Sequence, residues 1–195
     1  MRIWTIAAIT AVAVALTATV AAARPTTHKQ DPSATTPPAF AQQLATLRIE
    51  TAKYVNNLQL AKKDGYGIIT KMIPDMGYHF MNPKPKAGMP PILVYEHNGA
   101  QWQLGAVEWV YTAKPATVPF PGATYGSFGA GCHYKDGSYV PADTQDACPK
   151  TAPDTGAAFN FWHPLLITLH VWLWYPNPSG IFSGTNPLAA TYNQG

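Results

Sequence analysis

The sequence is poor in charge. Lys, Arg, Asp and Glu make up 12% of its 195 residues, about half the share usual in soluble domains. The formal net charge is only +3 and its cations are scattered, which excludes a basic nucleic-acid surface. Cations stop at Lys150, and Asp154 is the only acid beyond it. A tail that neutral, carrying Trp162, Trp172 and Trp174, must pack into the domain or against something else. Familiar catalytic signatures are also missing. There is no G-x-S-x-G, H-E-x-x-H, C-x-x-C or phosphate-binding glycine loop, and no serine has the context of a nucleophile.

Cysteine is scarce but paired. Cys132 and Cys148 are the only two, and their meaning depends on the compartment. The N-terminus reads as a secretory signal over residues 1–23. Arg2 supplies the positive n-region, residues 3–20 are apolar or small, and Ala21-Ala22-Ala23 supplies the cleavage pattern. A retained membrane anchor is the alternative, because residues 3–23 are long enough to span. The Ala/Thr bias favours cleavage, which leaves no stable membrane span. In a secreted chain the two cysteines are expected to form a disulfide. It closes a loop of about 17 residues, worth on the order of 3 kcal/mol.

Residues 24–38 are rich in Pro, Thr and Ser and read as a disordered linker. Residues 39–195 then read as a single α+β domain. Thr36 and Pro37 are suited to start a helix. Phe40, Leu44, Leu47, Thr51, Tyr54, Leu58 and Ala61 recur at spacings of three and four, which predicts one long N-terminal helix of about 25 residues. Strands are expected over 66–73, 77–82, 92–97, 101–111 and 165–175. Asn98-Gly99 is a strong two-residue hairpin turn. Gly and Pro dominate residues 112–162, which predicts a long loop stapled by the disulfide and acting as a partial lid. The fold expected is a long helix packed on an antiparallel sheet, with a small β-barrel carrying an external helix as the alternative.

Few polar residues need a functional explanation. Pairing residue 97 with 100 across the hairpin puts Glu108 on the apolar face, with Leu93, Tyr95, Trp102 and Leu104. An unpaired buried carboxylate costs several kcal/mol, so Glu108 needs a cation, a metal or a proton. Glu96 falls on the wetter face and is expected to be solvated. His170 lies within an aliphatic and indole run, sharing its face with Trp172 and Trp174. His79 lies in a short strand beside Tyr78. Two histidines and one carboxylate from three strands make a common first shell for an open metal site. His79, Glu108 and His170 are therefore the candidate ligands of one divalent transition-metal ion. His163 is a fourth candidate that needs a bend at Pro164. Tyr78, Trp102, Trp172 and Trp174 are the expected walls of an aromatic pocket for a metal or small ligand. His133, beside Cys132, is expected only to order the loop. Metal occupancy should fall below about pH 6.5, as imidazoles protonate.

The runs "AKKDGY", "DMGYHFMNP", "PILVYE", "LGAVEWVY" and "LHVWLWYPNPSGIFSGTNP", in that order, resemble a largely uncharacterised family of exported bacterial proteins. The resemblance extends from about Phe40 to Pro187. It implies that His79, Glu108 and His170 belong to one constellation, and it implies no mechanism. The Cys132–Cys148 loop and the ending "NPLAATYNQG" stand apart from it. A non-catalytic binding module using the Trp-rich C-terminal strand is the alternative function.

Overall fold

The computed structural model describes residues 39–189. The chain divides into Met1–Thr35 and Thr36–Gly195, and all described residues belong to the second unit. The predicted signal peptide, the whole of the predicted linker and the predicted Thr36 cap lie outside the described residues. Among those described, no helix is long and apolar enough to cross a membrane.

The predicted apolar stripe exists, but the single long helix does not. Helix α1 (Ala39–Thr51) passes into a 3₁₀ turn (Ala52–Tyr54), and a short helix α2 (Leu58–Lys63) follows. Three local preferences break it. Asn57 caps α2 by accepting a hydrogen bond from Leu60 N at 2.9 Å. The Val55 carbonyl, which would continue the helical ladder, instead accepts from Leu104 N at 2.7 Å. Thr51 Oγ1 donates back to Leu47 O at 2.7 Å and accepts from Trp174 Nε1 at 3.1 Å. The break leaves Leu47, Thr51, Tyr54, Leu58 and Ala61 buried on one side.

Among the described residues nine strands follow: β1 (Gly67–Ile73), β2 (Gly77–Met81), β3 (Ile92–Asn98), β4 (Gln101–Tyr111), β5 (Gly126–Phe128), β6 (Gly131–Tyr134), β7 (Tyr139–Pro141), β8 (Phe159–His163) and β9 (Leu166–Val171). They form a six-stranded antiparallel sheet in the order β1-β2-β3-β4-β9-β5 and a three-stranded sheet in the order β7-β6-β8. The larger sheet keeps two edges, β1 and β5, so it is not a closed barrel. The predicted loop over 112–162 is also corrected. From Gly126 onward it builds β5 of the larger sheet and the strands of the smaller one, all too short for their alternation to stand out among Gly and Pro. Cys132 on β6 and Cys148 are disulfide-bonded, as expected of the only two cysteines in a chain read as secreted.

The β3–β4 hairpin decides which residues face which side. It closes on Asn98↔Gln101, one residue beyond the predicted pairing at each strand. That slip keeps the faces, because cross-strand partners move by two. A bulge then reverses them. Tyr95 pairs with Leu104, but Val94 pairs with Ala106, so Gly105 is an extra residue in β4. Before the bulge, Trp102 and Leu104 share the core under the helices. Beyond it, Val107 and Trp109 take over that core, and Ala106, Glu108 and Val110 turn to the opposite face with Ile92 and Val94. The Gly105 carbonyl accepts from Trp174 N at 3.0 Å. Glu96 is fully buried rather than solvated, in contact range of Gly77 and Gly105.

Candidate metal centre

Glu108 faces the opposite side from the helices, and two strands bring histidines to it. In β9, His170 is the direct cross-strand partner of Glu108, and opposed residues share a face. In β2, His79 pairs with Val94, while Glu108 pairs with Ile92. His79 and Glu108 therefore stand two strands apart, roughly 10 Å at the backbone. Their side chains lean over β3 to meet.

His79 Nε2 lies 3.5 Å from Glu108 Oε2, and His170 Nε2 lies 3.6 Å from Glu108 Oε1. Ligand atoms of the three residues all fall within 4.8 Å of one another, and all three residues are buried. These contacts are long for N–H···O hydrogen bonds, which centre near 2.9 Å. They match the edges of a coordination polyhedron: two ligands at about 2.05 Å in a tetrahedral site are about 3.3 Å apart. Neither ring nitrogen of His170 has a hydrogen-bond partner, an unusual state for a buried imidazole. His79 is better anchored, with Nδ1 lying 2.8 Å from Thr70 Oγ1. That contact orients the ring and leaves Nε2 facing Glu108, the arrangement that holds ligating histidines.

Electrostatics keep the metal-free cluster neutral. Burial pushes the Glu108 carboxyl up to about 8. It pulls the His170 imidazole down to about 4. His79 is depressed to about 3, first by burial and then by the fields of His170 and His133. At neutral pH the site is thus two neutral imidazoles and a largely protonated carboxyl. The proton of the cluster therefore sits on Glu108, and the histidines are already free of theirs.

The three residues line a mostly apolar cavity of about 70 Å³, room for a few waters or one very small ligand. Ser127 is exposed and Met76, Phe128 and Phe161 are half-buried on its wall, so one end opens to solvent. His163 lines the same cavity. The bend at Pro164 is real: the chain leaves the small sheet at β8 and enters the large one at β9. His163 nevertheless pairs with His133, its Nε2 lying 2.9 Å from His133 Nε2, rather than joining Glu108.

The predicted aromatic walls are elsewhere. Tyr78 packs edge-on against Trp102 at 4.9 Å, and His97 stacks on Trp102 at 4.3 Å. Both Tyr78 and Trp102 belong to the core beneath the helices, because neighbouring residues of a strand face opposite sides. Trp172 is buried and donates Nε1–H to Ser183 O at 2.7 Å, while Trp174 donates to Thr51. Past Val171 the chain leaves the sheet, so the alternation that placed these indoles beside His170 ends. Aliphatic and phenyl groups, among them Ile69, Ile92 and Phe161, line the cavity instead. His133 and Thr70 were missed as site residues. Thr70 lies in a β1 run whose register against β2 shifts twice, which hides its pairing with His79. His133 was legible only as a histidine fixed in place by its disulfide-bonded neighbour.

Comparison of the chain with protein-family models, with curated proteins and with solved structures returned no match.

Proposed function

We propose that the protein binds one divalent transition-metal ion through His79, Glu108 and His170, leaving open coordination positions toward the cavity for water or a small ligand. One observation carries this best. A buried carboxylate and two buried imidazoles approach to 3.5 and 3.6 Å, too far to satisfy one another and close to the spacing of ligands around a shared ion. The small cavity favours ligands of a few heavy atoms. The alternative of a tryptophan-based binding strand has less support, because Trp172 and Trp174 spend their N–H groups inside the domain. The disulfide supports a site of action outside the cytoplasm, in keeping with the secretory signal and the likeness to exported proteins.

Calorimetric titration with Zn(II), Cu(II) and Mn(II) at several pH values tests the proposal. Binding must displace the Glu108 proton, so affinity should rise about tenfold per pH unit below pH 8, with close to one proton released. Glu108→Gln should weaken binding by more than tenfold. Absence of binding, or equal affinity in this variant, would refute the assignment.

A further inference from the structure

A second pair of histidines faces the same cavity from the other sheet. His133 lies on β6 and His163 on β8, diagonal across neighbouring strands, since Gly131 pairs with His163 and His133 with Phe161. Each ring is fixed at its Nδ1. His133 Nδ1 lies 2.6 Å from the Ile69 carbonyl oxygen, and His163 Nδ1 lies 2.6 Å from that of Pro164. A carbonyl oxygen only accepts, so both Nδ1 atoms carry hydrogen. A neutral imidazole has one N–H. Both Nε2 atoms therefore present lone pairs, and the two nitrogens lie 2.9 Å apart.

Two lone pairs that close repel, and both residues are buried. A positive centre must join them, either a proton or a metal ion. A proton creates a buried imidazolium, and burial opposes that by lowering the basicity of both rings. Holding Nδ1–H on a backbone carbonyl is, in contrast, how ligating imidazoles are commonly oriented.

We infer that His133 and His163 bind a second transition-metal ion, distinct from the one at Glu108 and facing the same cavity. The inference stands on the geometry of this pair and does not need the first site. With metal–nitrogen bonds of about 2.05 Å, a separation of 2.9 Å corresponds to a nitrogen–metal–nitrogen angle of about 90°. That angle suits neighbouring positions of a tetragonal ion such as Cu(II) or Ni(II) better than a tetrahedral one. The remaining positions open on the cavity, where water or a small anion completes the shell.

The test is elemental analysis of the whole protein after loading with Cu(II) and desalting, in wild type, His133→Gln, His163→Gln and Glu108→Gln. Two ions per chain are expected in wild type, with one lost in either histidine variant and the other lost in Glu108→Gln. One ion that survives Glu108→Gln but not His163→Gln supports the second site and removes the first. One ion with the opposite behaviour overturns the second site alone. One ion lost in all variants means a single shared site and also overturns it. No ion in wild type overturns both. Should a histidine variant fail to fold, anomalous diffraction from copper-loaded wild-type crystals decides. A peak about 2 Å from both Nε2 atoms supports the site, and none there refutes it.

Discussion

Replacing Glu108 by Gln in the metal-free protein should change how stability depends on pH. Burial raises this carboxyl from 4.5 to about 8. A raised carboxyl contributes stability that is complete below pH 4.5, where both states are protonated, and is lost as pH climbs toward 8. At 1.36 kcal/mol per pH unit, tapering near pH 8 where half the native carboxyls have ionised, this group alone should cost wild type about 1.6 kcal/mol between pH 6.5 and 8.0. The histidines act with the opposite sign. His79 is lowered to about 3, and His133 and His170 to about 4, so their contributions are complete about one pH unit above the unfolded value of 6.5 and are lost as pH falls toward 4. Metal-free wild type should therefore be most stable at about pH 7. The side-chain amide of the Glu108→Gln variant cannot ionise, so the stability of that variant should rise by about 1 kcal/mol from pH 6.5 to 8.0 as the histidines of the unfolded chain finish losing their protons, while that of wild type should stay level or fall slightly. Its absolute stability is less informative, because a buried amide with poor partners itself costs about 1–3 kcal/mol. Urea denaturation in a chelator, at half-unit steps from pH 5.5 to 8.5, measures both curves. Equal slopes for wild type and variant above pH 6.5 would refute the reasoning.

Three further perturbations probe the frame around the site. Leu58→Ala, at a buried core position, should cost about 2–5 kcal/mol in chemical denaturation, whereas Ile49→Ala, at an exposed one, should change stability by less than about 0.5 kcal/mol. Thr51→Val removes the acceptor of the Trp174 N–H and should cost about 1–3 kcal/mol; Thr51→Ser, which keeps the hydroxyl, should recover most of it. Gly77 has φ 103°, and an added Cβ would lie 2.6 Å from Tyr95 O. Gly77→Ala should therefore destabilise by more than about 2 kcal/mol and weaken metal binding through β2 and His79, although no ligand is altered; calorimetry alongside denaturation separates the two effects.

The candidate ligands were legible because their burial conflicted with their chemistry. Glu108 and His170 sit in strongly apolar strands, and a polar residue in such a run needs a partner wherever the strand goes. Their companions were less legible. Alternation predicts faces only while the pleat is regular, and Gly105 breaks it. A glycine inside a strand pattern hints at a bulge, but the sequence does not say which residue is unpaired. The placement of Glu96 failed for a related reason, since its cover comes from Gly77 on another strand and from chain beyond β9. The apolar stripe of the helical segment survived the break because a 3₁₀ turn and a capped restart preserve its direction. The Nε2 atoms of His133 and His163 meet across the small sheet, through pairings that sequence spacing does not encode.

Cys132 immediately precedes His133, so the disulfide fastens the strand that forms the far wall of the cavity. The bond removes freedom worth on the order of 3 kcal/mol from the unfolded loop, and it forms only where thiols are oxidised. Assembly of the domain thereby acquires an order. The six-stranded sheet contains no cysteine and can place His79, Glu108 and His170 before any oxidation occurs. The wall carrying His133 and His163 gains its full stability only afterwards. While the thiols remain reduced, an ion should reach Glu108 through a wider and looser mouth; once they are oxidised, the same ion should leave more slowly.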